Sequence, residues 1–324
     1  MKIFSALTTG ALFLGFVVLG SCAKNTDVDA SITNIAVTNP DFQVLEDAAI
    51  RGDVAVLLGN KNPNDPAGNY TVFAPTNAAF ARLGLNSATD LTALTQPFLR
   101  NTLFYAVFSG LLPGSALTPG SVSPSALGAP GTQRRIIQRA DGSLYVNGSK
   151  ILNPDVRAAN GLVHSVDKVL LATGGNIVQS AQALQSGQVF VAPELTFLVE
   201  AVIYADLVTV LSGPGPFTVF APTDQAFKNF SPLLTKPADI RLLPKQTVQN
   251  LLLGHALSGA QFTSELPEGT TVTSAGGTSV TLGSFNNGVL TVQGANGTGP
   301  VANMVIPDVQ CTNGVVHVID RVLQ

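Results

Sequence analysis

The feature that most constrains this 324-residue chain is that it writes one long unit twice. Thr71-Val72-Phe73-Ala74-Pro75-Thr76-Asn77-Ala78-Ala79-Phe80 returns as Thr218-Val219-Phe220-Ala221-Pro222-Thr223-Asp224-Gln225-Ala226-Phe227, at a spacing of 147 residues. Asn160-Gly161-Leu162-Val163-His164-Ser165-Val166-Asp167-Lys168-Val169-Leu170 returns as Asn313-Gly314-Val315-Val316-His317-Val318-Ile319-Asp320-Arg321-Val322-Leu323, at a spacing of 153. Ala48 to Leu58 answers Ala201 to Leu211, again at 153. A solenoid repeat is far shorter and needs neighbours to complete its core, so units of this length read as two self-sufficient domains. The change in spacing marks loops of unequal length: Asn60 to Tyr70 is long in the first copy, and Gly294 to Pro300 is long in the second.

Within each copy the patterning turns from helical to extended. Val44 to Leu58 and Leu195 to Leu211 carry helical spacing, with Leu45, Ala48, Ala49 and Val56 as one stripe. Thr71 to Ala74 and Phe217 to Ala221 read as short strands stopped by Pro75 and Pro222, after which Thr76 and Thr223 are placed to cap a helix holding Phe80 or Phe227. Phe73, Phe220, Phe80 and Phe227 are core candidates. Further helices are predicted near Thr92 to Val107 and Thr247 to Leu257. Hairpins follow, Ile136 to Gln138 with Leu144 to Val146 and Val280 to Leu282 with Leu290 to Val292, across Asp-Gly and Asn-Gly turns. Each copy closes on a strand, Leu162 to Leu170 or Val315 to Leu323. Helices first and strands later make an α+β domain. The boundaries drawn from this are 40–171 and 193–324, joined by a 172–192 linker with a short helix over Ile177 to Leu184, and preceded by a polar tether at 23–39.

Residues 1–22 are set apart: Lys2, an uncharged apolar run from Ile3 to Leu19, then Leu19-Gly20-Ser21-Cys22. This is the pattern of an export signal, and the run is short for an uncleaved membrane helix, the alternative reading. Its ending is similar to a bacterial lipobox, which implies cleavage before Cys22 and acylation there, holding the protein at a membrane without a spanning helix. Ala23 at the following position, by analogy with sorting rules, points to the outer membrane, on its periplasmic or cell-surface face. With Cys22 acylated, only Cys311 remains, so stability must come from burial rather than a disulfide. Cys311 stands where the first copy has Ala158 and reads as a small buried site.

Charged residues are 11% of the chain and the net charge is -3, so no basic field exists for a nucleic acid. Three histidines, His164, His255 and His317, are all that general-base or metal chemistry would have to build on. His164 and His317 are equivalent positions in separate domains, which favours a role in the fold, an imidazole bonded to backbone, over a ligand or catalytic role. Asp167 and Asp320 follow three residues later, a spacing that on a strand faces the other way and disfavours a metal pair. HExxH, zinc spacings and a GxSxG elbow are absent from the sequence, so neither catalytic residues nor a metal or cofactor are expected.

The two end blocks resemble the motifs of the fasciclin family, "TvFAPtn.AF" and "NGvvHviD.vL". The residues carrying that signature are Thr71, Phe73, Pro75, Thr76, Asn160, Gly161, His164 and Asp167, and again Thr218, Phe220, Pro222, Thr223, Asn313, Gly314, His317 and Asp320. A central "YHvv.G"-like segment is half kept in each copy: Tyr105 stands before Ala106, and His255 after Gly254. The resemblance implies two tandem domains, each a β-wedge with packed helices, used in adhesion to surface or matrix proteins or glycans. It also makes Tyr105 and His255 candidate ligand contacts, against their ordinary reading as core side chains. The competing reading is a periplasmic or surface small-molecule or lipid-binding protein, which would need a deep apolar pocket with convergent polar groups. A hydrolase is the third, with no constellation to support it.

Overall fold

In the computed structural model, which describes residues 30–185, 195–294 and 299–324, the two copies fold alike. The apolar run of the export signal, Cys22 and most of the predicted tether lie outside the described residues.

Domain 1 contains helices α1 (Ile32–Thr38), α2 (Gln43–Arg51) and α3 (Ala55–Gly59), strand β1 (Tyr70–Pro75), and helices α4 (Asn77–Ala81) and α5 (Gln96–Tyr105). Strands β2 (Val107–Ser109), β3 (Val122–Ser123), β4 (Arg134–Gln138), β5 (Leu144–Val146), β6 (Ser149–Ala158) and β7 (Gly161–Val166) follow. Domain 2 repeats the order with α6 (Ile177–Gln185), α7 (Thr196–Tyr204), α8 (Val208–Leu211), β8 (Phe217–Pro222), α9 (Asp224–Phe230) and α10 (Lys245–Gly254). It ends with β9 (Ala256–Ser258), β10 (Thr271–Thr273), β11 (Ser279–Leu282), β12 (Thr291–Gln293), β13 (Ala302–Cys311) and β14 (Gly314–Ile319). The sheets run β2-β1-β7-β6-β5-β4-β3 and, in mirror notation, β9-β8-β14-β13-β12-β11-β10.

The two repeated blocks of each copy meet at the centre of its sheet. Strand β1 pairs in parallel with β7, Phe73 opposite His164, and β8 pairs with β14, Phe220 opposite His317. A strand with neighbours on both edges and cover on both faces wants a continuous apolar run, and all six residues of β1 are buried. The expected hairpins form as β4·β5 and β11·β12. Thr76 and Thr223 cap α4 and α9, accepting from the amides of Ala79 and Ala226 at 3.3 and 3.2 Å.

Several expectations need correction. Val44 to Leu58 is two helices rather than one, broken where Asp53 takes φ +57°, and Leu195 to Leu211 breaks in the same way at Asp206 with φ +55°. The chain turns there, so Val56 is 76% exposed and does not belong to the buried stripe. The predicted tether, 23–39, contains α1, and the predicted linker contains α6; both helices pack into the domain that follows, burying Ile32 and Ile177. The ten-residue strands β6 and β13, which contain Pro154 and Pro307, are the elements that the patterning passed over. Both are bulged against their neighbours, with Asp155 and Asp308 at φ +63°.

Candidate functional site: the motif residues and the domain junction

Each motif side chain is occupied in holding its own domain together. The Asn160 side chain accepts from the Ile32 amide and donates to the Leu58 and Asn60 carbonyls; Asn313 does the same with Ile177, Leu211 and Gly213, so one asparagine pins α1 or α6 to the closing strand. Beside it, a Cβ on Gly161 would lie 1.8 Å from the Tyr70 carbonyl oxygen and one on Gly314 2.1 Å from that of Phe217, which leaves room for glycine alone. Thr71 donates to Gly110 and accepts from Leu112, as Thr218 does with Gly259 and Gln261. Asn77 and Asp224, just past the threonine caps, accept from the Val44 and Phe197 amides and so fix α2 and α7, a role the sequence reading did not assign.

The histidines are likewise committed to backbone. The His164 Nε2 donates to the Leu112 carbonyl at 2.8 Å while Nδ1 accepts from the Asp155 amide at 3.0 Å. His317 bonds Gln261 and Asp308 in the same way. Burial pushes both imidazoles below the ordinary histidine range, so they are neutral and act as fixed donor and acceptor. Asp167 and Asp320 sit just past the closing strands and accept from the Lys150 and Asn303 amides. Cys311 is fully buried, and burial raises its thiol to about 12, as expected of a packing residue.

The two candidate ligand contacts are both buried. His255 donates from Nδ1 to Leu251 and accepts at Nε2 from the Leu323 amide, each at 2.8 Å; burial lowers it to about 4. Tyr105 is 1% exposed, receives the Asn147 side-chain amide, and donates to Gln310 Oε1 at 3.2 Å. Neither presents a free polar atom to an incoming molecule, and Gln310 belongs to domain 2: Tyr105 is a junction residue.

That junction is the most elaborate polar arrangement in the structure. Lys168 Nζ crosses from domain 1 to donate to Asp308 Oδ2 and the Gly288 carbonyl, each at 2.6 Å, and to Thr263 Oγ1 at 2.9 Å. Asp308 also accepts from the Thr263 amide and hydroxyl, each at 2.7 Å. The Lys168 and Asp308 side chains are 8% and 9% exposed, so the pair is desolvated as well as fully bonded. Around it Arg135 grips Glu265 through two nitrogens and lies over Phe262, Arg139 meets Glu268 and lies over Phe285, and Arg82 donates twice to Asn287. The backbone joins in, Gln310 donating to Leu171 and accepting from Thr173. One apolar cluster continues from domain 1 through Val169 and Leu171 into Val309 and Val316.

The apolar clefts are small by comparison. Apolar clefts beside α1 and α6 measure about 70 and 40 Å³, below the several hundred typical of small-molecule sites, and His255 is already bonded where it reaches the second. Among the described residues, no group of three His, Cys, Asp or Glu is placed to hold a metal ion, and no helix is long and apolar enough to cross a membrane.

Comparison with known proteins matches the profile described as "Fasciclin domain" to residues 41–172 and 193–324. Transforming growth factor-beta-induced protein ig-h3 of Sus scrofa is 29% identical over 259 residues, covering 79% of this chain and 35% of that protein. Protein sll1483 of Synechocystis sp. is 37% identical over 146 residues, covering 45% of this chain and 76% of that protein. Among solved structures, the domain pair from the insect cell adhesion molecule fasciclin I aligns over 90% of this chain and 95% of that one, at 17% identity and a TM-score of 0.38. This chain therefore spans about a third of the length of the animal relative and most of the cyanobacterial one.

Proposed function

Because the chain belongs to the fasciclin family, with one such domain in each half, we propose that it is a membrane-anchored adhesion or binding protein of a bacterial envelope, recognising a surface or matrix protein or a glycan. The observation that carries this reading is the full commitment of the motif side chains to the scaffold. With the three histidines and Tyr105 bonded inside, and no sizeable apolar pocket at them, recognition falls to exposed loops and sheet faces carried on a rigid frame. The docked junction strengthens the reading, because two faces held at a fixed separation bind a repetitive partner with avidity when both engage. The scaffold roles of the histidines and aspartates also support a protein without an active site at its motifs.

Anchoring rests on the sequence around Cys22 and belongs to the same proposal, as does placement at the outer membrane. Labelling with a palmitate analogue is expected on the full chain and lost in Cys22→Ser. The binding half is tested by screening the soluble Ala23 to Gln324 fragment against glycan and surface-protein arrays. Saturable binding supports it; no binding together with turnover of generic esters or phosphates overturns it.

A further inference from the structure

Arginines of this protein favour aromatic rings. Arg100 lies over Phe104, Arg134 over Phe73 and Arg241 over Tyr204, each with its guanidinium carbon between 5.2 and 5.6 Å from the ring centre. At the junction the same pairing spans the two domains, with Arg135 5.0 Å over Phe262 and Arg139 3.7 Å over Phe285. Arg82 also crosses from domain 1, and it departs from the pattern. Its Nη1 and Nη2 donate to the Asn287 carbonyl and side chain at 2.7 and 2.8 Å, and Nη2 meets Asp167 at 3.5 Å, but among the described residues no ring lies over it.

Where a ring would lie there is a cleft. It measures about 210 Å³ and is walled from domain 1 by Arg82, Leu83 and Val169 and from domain 2 by Val289, Met304 and Val305. An apolar cavity of about 150 Å³ takes up benzene, so this volume suits one ring or a fused pair. A drug-sized molecule needs several hundred Å³ and does not fit. Two features fix the chemistry of an occupant. The walls are aliphatic apart from the Met304 thioether and the Arg82 guanidinium, both of which attract an aromatic ring. The charges at the cleft are already matched, Arg82 with Asp167 and Lys168 with Asp308, so a carboxylate or ammonium would arrive without a counter-ion, whereas a neutral ring leaves both pairs intact. Covering Arg82 orphans nothing, because Asn287 and Asp167 continue to hold it.

We propose that this cleft binds a small uncharged aromatic molecule, one ring or a fused pair, seated beside Arg82 between the two domains. Each domain supplies one wall, so the site is complete only while they are docked. The ligand therefore favours the docked arrangement and adds to the coupling that Lys168 and Asp308 provide. The inference goes beyond the adhesion reading and does not rest on it, since it needs no surface partner.

The test uses the full chain in detergent, with indole as the probe and detergent alone as the blank. Equilibrium dialysis should show one saturable site per chain, and in calorimetry the unfolding transition should climb with indole concentration. Cyclohexanol, which has a ring without a π face, should bind roughly fivefold more weakly. Arg82→Lys keeps the charge but loses the flat guanidinium, and should weaken indole to about the cyclohexanol level. Val305 is 41% exposed at the cleft, so Val305→Trp should fold with unchanged circular dichroism, fill the space with its own side chain and abolish the indole response. Ile203→Trp, at a position 46% exposed on α7, should leave that response unchanged. The proposal is overturned by the absence of a saturable site, by equal binding of cyclohexanol, or by an indole response that survives Val305→Trp. Binding of N-acetyl-tryptophanamide without binding of indole also overturns it, in favour of a site for a partner protein's side chain.

Discussion

Replacing Lys168 by methionine keeps the aliphatic stem and removes the ammonium that crosses the junction. Asp308 would then be a buried carboxylate holding only the amide and hydroxyl of Thr263, while its own backbone amide still donates to the neutral His317. Orphaning one member of a buried pair costs about 3–5 kcal/mol. The two surviving bonds place the expected cost near the lower end, ~3 kcal/mol. The domains have a way to relieve it, since parting them hydrates Asp308. The loss should therefore show as uncoupling: calorimetry of the wild type at pH 7 gives one transition, and Lys168→Met gives two, with a larger radius by small-angle scattering. Adding Asp308→Asn removes the orphaned charge and should recover part of the coupling. Acid provides an independent route. Burial alone raises the Asp308 carboxyl, but the Lys168 ammonium and the hydrogen bonds outweigh it and hold it below the usual carboxylate range. Its contribution is thus present above about pH 4, the unfolded value, and is lost as pH falls through the folded one. A Lys168→Met protein with one transition, shifted by less than about 1 kcal/mol and with an unchanged radius, would refute the reasoning.

Other outcomes follow from the same geometry. Gly148→Ala places a methyl 1.9 Å from Asp308 Oδ2, so it should enlarge the scattering radius while leaving the circular dichroism of the domains intact. Asn160→Ala and Asn313→Ala each lose three hydrogen bonds, roughly 3 kcal/mol, and should destabilise domain 1 and domain 2 respectively in denaturant titrations followed domain by domain. His255 is neutral when buried and lowered to about 4, so the unfolded chain binds its proton first and stability falls as pH drops from the unfolded value near 6.5. Between pH 7 and pH 4 this amounts to ~3 kcal/mol, which His255→Gln should reduce when stability is measured across that range.

The repeat made the domain count, the hairpins, the threonine caps and the central strands legible, because each rests on local chemistry that the copies state twice. Val56 was misplaced for a local reason of another kind: Asp53 and Asp206 adopt a left-handed turn that helical spacing does not register. The short helix α1 hides in polar sequence, since one buried face over seven residues leaves a weak pattern, and the prolines of β6 and β13 read as loop although a bulge accommodates them. The junction was the least legible part, because Lys168 and Arg321 look alike until a partner is known. A signal did exist in the reciprocal differences between copies, Arg135 and Arg139 against Ser279 and Gly283, Glu265 and Glu268 against Ala116 and Pro119.

The asparagine that ties α1 to the closing strand also sets a timetable. Ile32 waits for Asn160, 128 residues later, and β1 waits for β7 before its second edge is paired. Each domain's sheet remains incomplete until that domain's own closing strand is available, and contacts so distant in sequence form slowly. The first domain therefore stays open until Gly161–Val166 is available to pair with β1.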